Sequence, residues 1–329
     1  MTLDGPFDNA PGHHLVSRGL QRNFAPNHRV AVIDVSTGAV IESCRAIKSR
    51  HGGRDRCRRR SNQRVEGFNS YQGPDGRLVH ELEDEWARIE RVALNRVREL
   101  ERREATQEHR AAVIELFTMH LVRSQAFEDS RRNISDILRE EEPPKYEDDE
   151  ALKRAFAAGY GRPPQPGEIA ALARSQLDEM ESSRRARVES MVRNYNGIAD
   201  RLSKYSIQLV TIVDDRLPGF LLGDVPVVHA DLNTNRYGFR DRLAIGDSNF
   251  VFGPISRRLA VCLSASPRRH VRLSIRGRLD DLNSVTWLAA MREVYCDPAD
   301  QRAASQMKLR VKSFDPKRLQ EPRRWGPAR

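Results

Sequence analysis

Four groups of residues in this chain have types and spacings that could do chemistry. The first is His13-His14, two adjacent imidazoles near the start of the chain. Imidazoles titrate near neutral pH and can move protons or bind metals. Neighbours on a strand point to opposite faces, however, so the two rings share a site only where the backbone turns. The second group is Glu83 and Glu90, seven residues apart, with Arg123 further along. A seven-residue step is two helical turns, which puts both carboxylates on one face. Paired carboxylates can hold a divalent cation or divide acid and base roles. An ordinary ion pair from Glu90 to Arg123 explains the same residues without chemistry. The third is Gly223-Asp224, a turn between two apolar runs, with Pro226 keeping Val225 extended. An aspartate at a strand end suits a site on a rigid element, or equally a turn that bonds its own backbone.

The fourth group is a run of charge. Arg50 to Arg64 holds seven arginines and one aspartate, a net +6 that includes Arg54, Arg56, Arg58, Arg59 and Arg60. Such a cluster attracts phosphate polymers. Phe68 and Tyr71 follow the cluster instead of interleaving with it, unlike the usual single-strand binder. Glu140 to Glu150 carries seven acids and one lysine, a net −6, so the two segments are also suited to neutralise each other.

These residues need elements to position them. Arg29 to Val35 and Ala39 to Ile41, joined by Ser36-Thr-Gly38, predict an N-terminal β-hairpin. Residues 43–76 read as an Arg-rich loop, with a short strand near Phe68. Leu82, Trp86, Ile89, Ala93, Val97 and Leu100 form one helical stripe. A second helix is expected from Thr106, as N-cap, to Arg132. Residues 140–150 read as an acidic linker, followed by a helix over 150–160. A long helix is expected from Glu168 to Lys204. From Ile207 the period changes to that of strands, at 207–213, 220–222, 227–229, 249–252 and 259–263. Residues 280–308 return to helix. The expected class is therefore α+β: an N-terminal hairpin, long central helices, and a C-terminal sheet of short antiparallel or mixed strands plus a helix. Residues 1–312 read as a single domain and 313–329 as a disordered basic tail.

The chain has 329 residues, 39% of them hydrophobic, enough for a sizeable core. Its net charge of +10 is local, because the segment Lys308 to Arg329 alone contributes +6 from eight basic and two acidic residues. Cys44, Cys57, Cys262 and Cys296 have no zinc-site spacing and fit a reducing, cytoplasmic compartment. No apolar run is long enough to span a bilayer, and the polar residues 1–11 do not read as a signal peptide. P-loop, G-x-G-x-x-G, H-E-x-x-H and G-x-S-x-G motifs are absent, which argues against the enzyme classes they mark.

Five segments in order resemble a bacterial family catalogued as domain of unknown function 4238. They are the opening His13-His14-x-Val-Ser-x-x-Leu-Gln-Arg-x-Phe24-Ala25, the acidic helix Glu83-Asp-Glu-Trp-Ala-Arg-Ile-Glu90, and His120-Leu-Val-Arg123. Phe220-Leu-Leu-Gly-Asp-Val-Pro226 and Gly253-Pro-Ile-Ser256 complete the set. The resemblance covers about residues 12–300. Ser17 stands where the family usually has proline, and Gly19 where an aromatic is frequent. The resemblance carries over no activity, but it implies that His13, His14, Glu90, Arg123 and Asp224 are the positions to watch.

The sharpest expectation from these residues is a hydrolase acting on a phosphate-bearing substrate, in its most specific form a metal-dependent nuclease. Glu90 and Asp224 would hold a divalent cation, His14 would move a proton, and Arg123 would stabilise developing charge. The alternative is a non-catalytic module whose Arg cluster binds nucleic acid or an acidic protein surface, with no membrane involved.

Overall fold

A computed structural model of the chain describes residues 12–14, 16–25, 29–46, 64–66, 71–72, 78–79, 81–100, 105–132, 147–172, 174–175, 184–264, 271–273 and 276–320. The architecture is α+β, as expected. The N-terminal hairpin consists of β2 (Arg29–Asp34) and β3 (Val40–Ala46). Asp34 ties its turn, accepting from the Ser36 hydroxyl and the Thr37 amide, and Gly38 supplies the positive φ that the turn requires. Before it, the short β1 (Gly12–His14) pairs with β4 (Arg64–Glu66), and α1 (Arg18–Arg22) starts from Ser17. Two-residue strands β5 (Tyr71–Gln72) and β6 (Leu78–Val79) pair with each other.

Helices then dominate the described residues up to Leu202. In α2 (Glu81–Glu99) the expected stripe is buried at Trp86, Ile89, Ala93 and Val97. Helix α3 (Gln107–Val122) begins at Thr106, whose hydroxyl accepts from the His109 amide. It is buried around its circumference from Leu116 onward, which marks it as the central helix. It does not run on to Arg132. The Ser124 hydroxyl donates to the Leu121 carbonyl and accepts from the Phe127 amide, ending one helix and capping the next over 125–132. Helix α4 (Glu150–Tyr160) follows, and α5 (Arg184–Leu202), with helical residues at 168–172 and 174–175, makes up the described part of the expected long helix. The Arg110 guanidinium of α3 donates to the Tyr205 carbonyl at 2.6 Å, satisfying backbone just beyond the end of α5.

The C-terminal strands form a six-stranded sheet in the order β10-β9-β11-β12-β7-β13. These are β7 (Ser206–Ile212), β9 (Val228–Asp231), β10 (Arg236–Tyr237), β11 (Phe250–Pro254), β12 (Leu259–Ser264) and β13 (Val271–Leu273). Only β13 runs parallel to its neighbour, β7, so this sheet is mixed. Strand β8 (Leu222–Gly223) belongs elsewhere. It joins a four-stranded antiparallel sheet in the order β3-β2-β14-β8.

Strand β14 (Glu293–Cys296) corrects the expectation of continuous helix over 280–308. Helix α6 (Arg276–Ala289) ends before it, and β14 inserts between β2 and β8. Within this sheet β2 and β14 are buried on both faces. Val30 and Val32 enter the main core, while Ala31 and Ile33 face a smaller cluster with Trp287, Val294, Ala304 and Met307. This explains the continuous apolar runs of β2 and β14, which lack the alternation of a half-exposed strand. Of the expected disordered tail, residues 313–320 are ordered and 321–329 lie outside the described residues. Residues 317–320 form a helical turn, Leu319 is fully buried, and Phe314 packs on the main core.

Helix α3 is seated on the six-stranded sheet by a close approach at Gly253. A Cβ there would lie 2.4 Å from the Phe117 ring. Gly253→Ala is expected to lower stability by about 1–3 kcal/mol through overpacking. Phe117→Leu in that background should restore part of the loss, and strictly additive urea-denaturation energies would overturn the seating argument.

Candidate functional site

The residues singled out by sequence fall into separate places. His14 is on β1, opposite Arg64 of β4, and the side chains of His13 and His14 lie outside the described residues. So do Arg54, Arg56, Arg58, Arg59 and Arg60.

Glu90 and Arg123 do come together, in a buried polar knot between α1, α2 and α3. Glu90 does not bond Arg123 directly. Its Oε1 accepts from the Gly19 amide at 2.9 Å, and the Ser17 hydroxyl adds a second bond. Burial raises the Glu90 carboxyl above its ordinary range, against the lowering pull of the Arg123 charge and those two donors. Arg123, 3% exposed, donates instead to Glu83 at 3.1 Å. The position of Gly19 now has a reason: a Cβ there would fall 2.3 Å from Glu90 Oε1 and 2.6 Å from Leu94. Glycine lets the first turn of α1 press its amide onto the carboxylate. His120 is buried one turn before Arg123, and neither ring nitrogen has a hydrogen-bond partner among the described residues. Burial, with the Arg123 charge, lowers its pKa to about 3, so it is neutral.

Asp224 is committed elsewhere. Its carboxylate accepts three backbone N–H groups, from Met291 at 2.8 Å, Arg292 at 2.7 Å and Glu293 at 3.2 Å. It thereby fastens the turn between α6 and β14 to the end of β8. Burial pushes its pKa up to about 6 in spite of those three bonds. None of these partners is shared with Glu90. Among the described residues no group of three or more His, Cys, Asp or Glu is arranged to hold a metal ion. The expected Glu90–Asp224 cation site therefore gains no geometric support, because each carboxylate already has its own structural donors.

A different site emerges between α5, the helical segment 125–132 and the loop 239–246. This cleft of about 660 Å³ is lined by Arg131, Arg193, Arg201 and Arg242, and by Phe127, Ile198, Phe239, Leu243 and Ile245. Its described lining includes Ser130, Ser190 and Asn194 but no carboxylate. Arg131 is held by the buried Glu128, which also grips Arg132. Burial alone would raise Glu128, but its bonds to Arg131 and Arg132 and the nearby charge of Arg187 bring it below the usual carboxylate range. Arg193, Arg201 and Arg242 have no ion-pair partner among the described residues. The Arg201 guanidinium lies directly over Gly246, where a Cβ would collide with it.

The loop wall is fixed from behind. Arg236 donates to the Asp241 and Arg242 carbonyls at 2.8 and 2.7 Å, and Asp241 accepts from the Tyr237 amide at 2.6 Å. The Tyr205 hydroxyl donates to the Ser248 carbonyl at 2.6 Å, and His229 Nε2 donates to the Leu243 carbonyl at 3.0 Å. That bond assigns the neutral Nε2–H tautomer to His229, whose pKa burial lowers to about 4. Arg242 has φ 54° and ψ 31°, a left-handed conformation unusual for arginine. Sequence reasoning missed this cleft because its arginines are spread over more than a hundred residues and form no run. The left-handed Arg242 left no signature, since turns of that kind are usually marked by glycine or asparagine.

The fold and these two centres define an α+β protein with a buried polar knot and a separate cationic cleft. A family model described as "Protein of unknown function (DUF4238)" matches residues 12–300, and the chain belongs to that family. No curated protein and no solved structure matches it. Among the described residues no helix is long and apolar enough to cross a membrane.

The knot is expected to matter for stability. Arg123→Met leaves two carboxylates without their cation and should cost about 3–5 kcal/mol in urea denaturation, against about 1–2 kcal/mol for Glu90→Gln. Equal losses would contradict the geometry. The buried histidine gives a pH signature. Unfolded His120 takes up a proton below about pH 6.5 while the folded residue stays neutral until about pH 3, so its contribution is present at neutral pH and lost on acidification. The raised carboxyls of Glu90 and Asp224 act with the opposite sign, so the comparison has to be with a variant. His120→Leu should gain on the wild type by about 1.4 kcal/mol per pH unit between pH 6 and 4, and parallel profiles would overturn the neutral assignment.

Proposed function

We propose that this protein binds a phosphate-bearing ligand in the cleft between α5, segment 125–132 and loop 239–246. The observation that carries this reading is the set of three guanidinium groups, Arg193, Arg201 and Arg242, that share one concave surface without an ion-pair partner among the described residues. Like charges converging on one cleft repel each other, and an anion relieves that repulsion. Guanidinium is also the side chain best matched to phosphate oxygens, which it bonds in pairs.

This reading keeps the phosphate-bearing ligand of the first sequence expectation and the non-catalytic binding of its alternative, and moves both from the Arg50–Arg64 segment to the cleft. A hydrolytic reading would need a base or a metal-holding carboxylate at the ligand, and the described lining offers none. Rigidity supports binding as well. The loop is pinned by bonds from His229 and Arg236, and the Tyr205 hydroxyl bonds the Ser248 carbonyl just beyond it, so little ordering cost falls on the ligand. Arg242 adds a further argument. A left-handed arginine costs about 1 kcal/mol that glycine would avoid, and this cost falls at a residue whose side chain lines the cleft.

Inorganic tripolyphosphate should bind the wild-type protein, measured by calorimetry, with an affinity that falls as salt rises. Arg201→Met and Arg242→Gly should each weaken it about tenfold or more. Arg242→Gly should leave stability within about 1 kcal/mol of wild type, because glycine accepts the backbone conformation. Full binding by both variants would overturn the proposal.

A further inference from the structure

We infer that the ligand of this cleft is a nucleoside polyphosphate, whose base lies against Phe239 while its phosphates meet the arginines. The inference rests on the anion-binding reading above and adds the identity of the uncharged part of the ligand.

The cleft wall offers two kinds of group. Arg193, Arg201 and Arg242 are exposed, while of the apolar lining Phe127, Ile198, Leu243 and Ile245 are buried and Phe239 is partly exposed. A simple inorganic anion would meet the arginines and leave the Phe239 ring against water. The ligand that meets both is amphipathic, with a flat uncharged group joined to a polyanion.

Phe239 is the residue built to receive that flat group. Its ring is braced edge-on from two sides, by His229 with centroids 4.4 Å apart at 65° and by Phe127 at 5.4 Å and 70°. His229 is itself buried and held to the loop by its bond to Leu243. The ring is therefore fixed before any ligand arrives, while remaining part of the cleft surface. Aromatic faces stack on any nucleobase, since every base has a π face.

Polar groups for a sugar and base edge are also present. Asn194 Nδ2 is occupied by the Ser190 carbonyl at 2.8 Å, which turns the side-chain carbonyl of Asn194 into the acceptor that remains. Ser130 and Ser190 line the same space, the Ser190 hydroxyl also accepting from Asn194 Nδ2 at 3.3 Å. The volume of about 660 Å³ is that of a small-molecule site. It suits one nucleotide better than a polymer, which would need a groove running across the surface.

The test is calorimetric titration of the full chain with ATP and with inorganic tripolyphosphate in the same magnesium-free buffer. ATP is expected to bind at least tenfold more tightly than tripolyphosphate. Phe239→Leu should erase most of that advantage and leave tripolyphosphate affinity within twofold, which also shows that the variant is folded. Equal affinity of the wild type for the two ligands would overturn the nucleotide assignment and leave the anion-binding reading standing. Binding of neither would defeat the anion-binding reading, and this inference with it. If Phe239→Leu does not fold, the wild-type comparison decides the matter alone.

Discussion

A guanidinium taken out of water must be answered by negative charge, and in this fold that requirement falls on Arg123. It sits at the end of α3, the helix that the core surrounds. Its answer comes from α2 through Glu83 at 3.1 Å, with Glu90 close enough to feel the same charge. Glu90 in turn takes the Gly19 amide, so α1 is fixed by the same knot. Three elements separated by about a hundred residues are set in register by one cation. Burial keeps His120 beside it neutral, and the Arg123 charge acts in the same direction.

The sheets obey a related logic of satisfied backbone groups. Strand β14 joins the N-terminal hairpin to β8, and the turn leading into it exposes three amides. Asp224 accepts all three. An aspartate that first suggests a metal ligand or a local turn thus serves as a clamp between segments 67 to 69 residues apart. The clamp keeps a short, otherwise weak strand in the middle of a sheet.

The cationic cleft differs from the knot in how its charge is answered. Inside the knot every described charge has a counter-charge or a donor. In the cleft, Glu128 answers Arg131 and Arg132, while Arg193, Arg201 and Arg242 have no such partner among the described residues. The surrounding framework is rigid, with loop 239–246 bonded from behind by His229 of β9 and Arg236 of β10. Charge left unanswered on a fixed, half-apolar surface is the arrangement expected of a place where something else binds.

Much of the fold was legible in the sequence because it is written in local periodicity. The stripe from Trp86 to Val97, the Thr106 cap, the hairpin at Ser36 to Gly38 and the strands around Leu209, Phe252 and Val261 each carry their own signal. Glu90 and Arg123 could also be picked out, since helical spacing and sequence order bring them to facing helices. What periodicity could not reveal depended on which distant segment lies alongside. Residues 293–296 read as helix until β2 and β8 flank them and their backbone bonds favour a strand. The break at Ser124 turns on one hydroxyl finding both a carbonyl and an amide. The partners of Asp224, and the convergence of Arg193, Arg201 and Arg242, arise only when loop 239–246 folds against α5. Sequence determines which residues want burial and which local shape they prefer. Tertiary structure alone decides which charges meet, because the energy of a charge depends on neighbours through space and on how much water separates them.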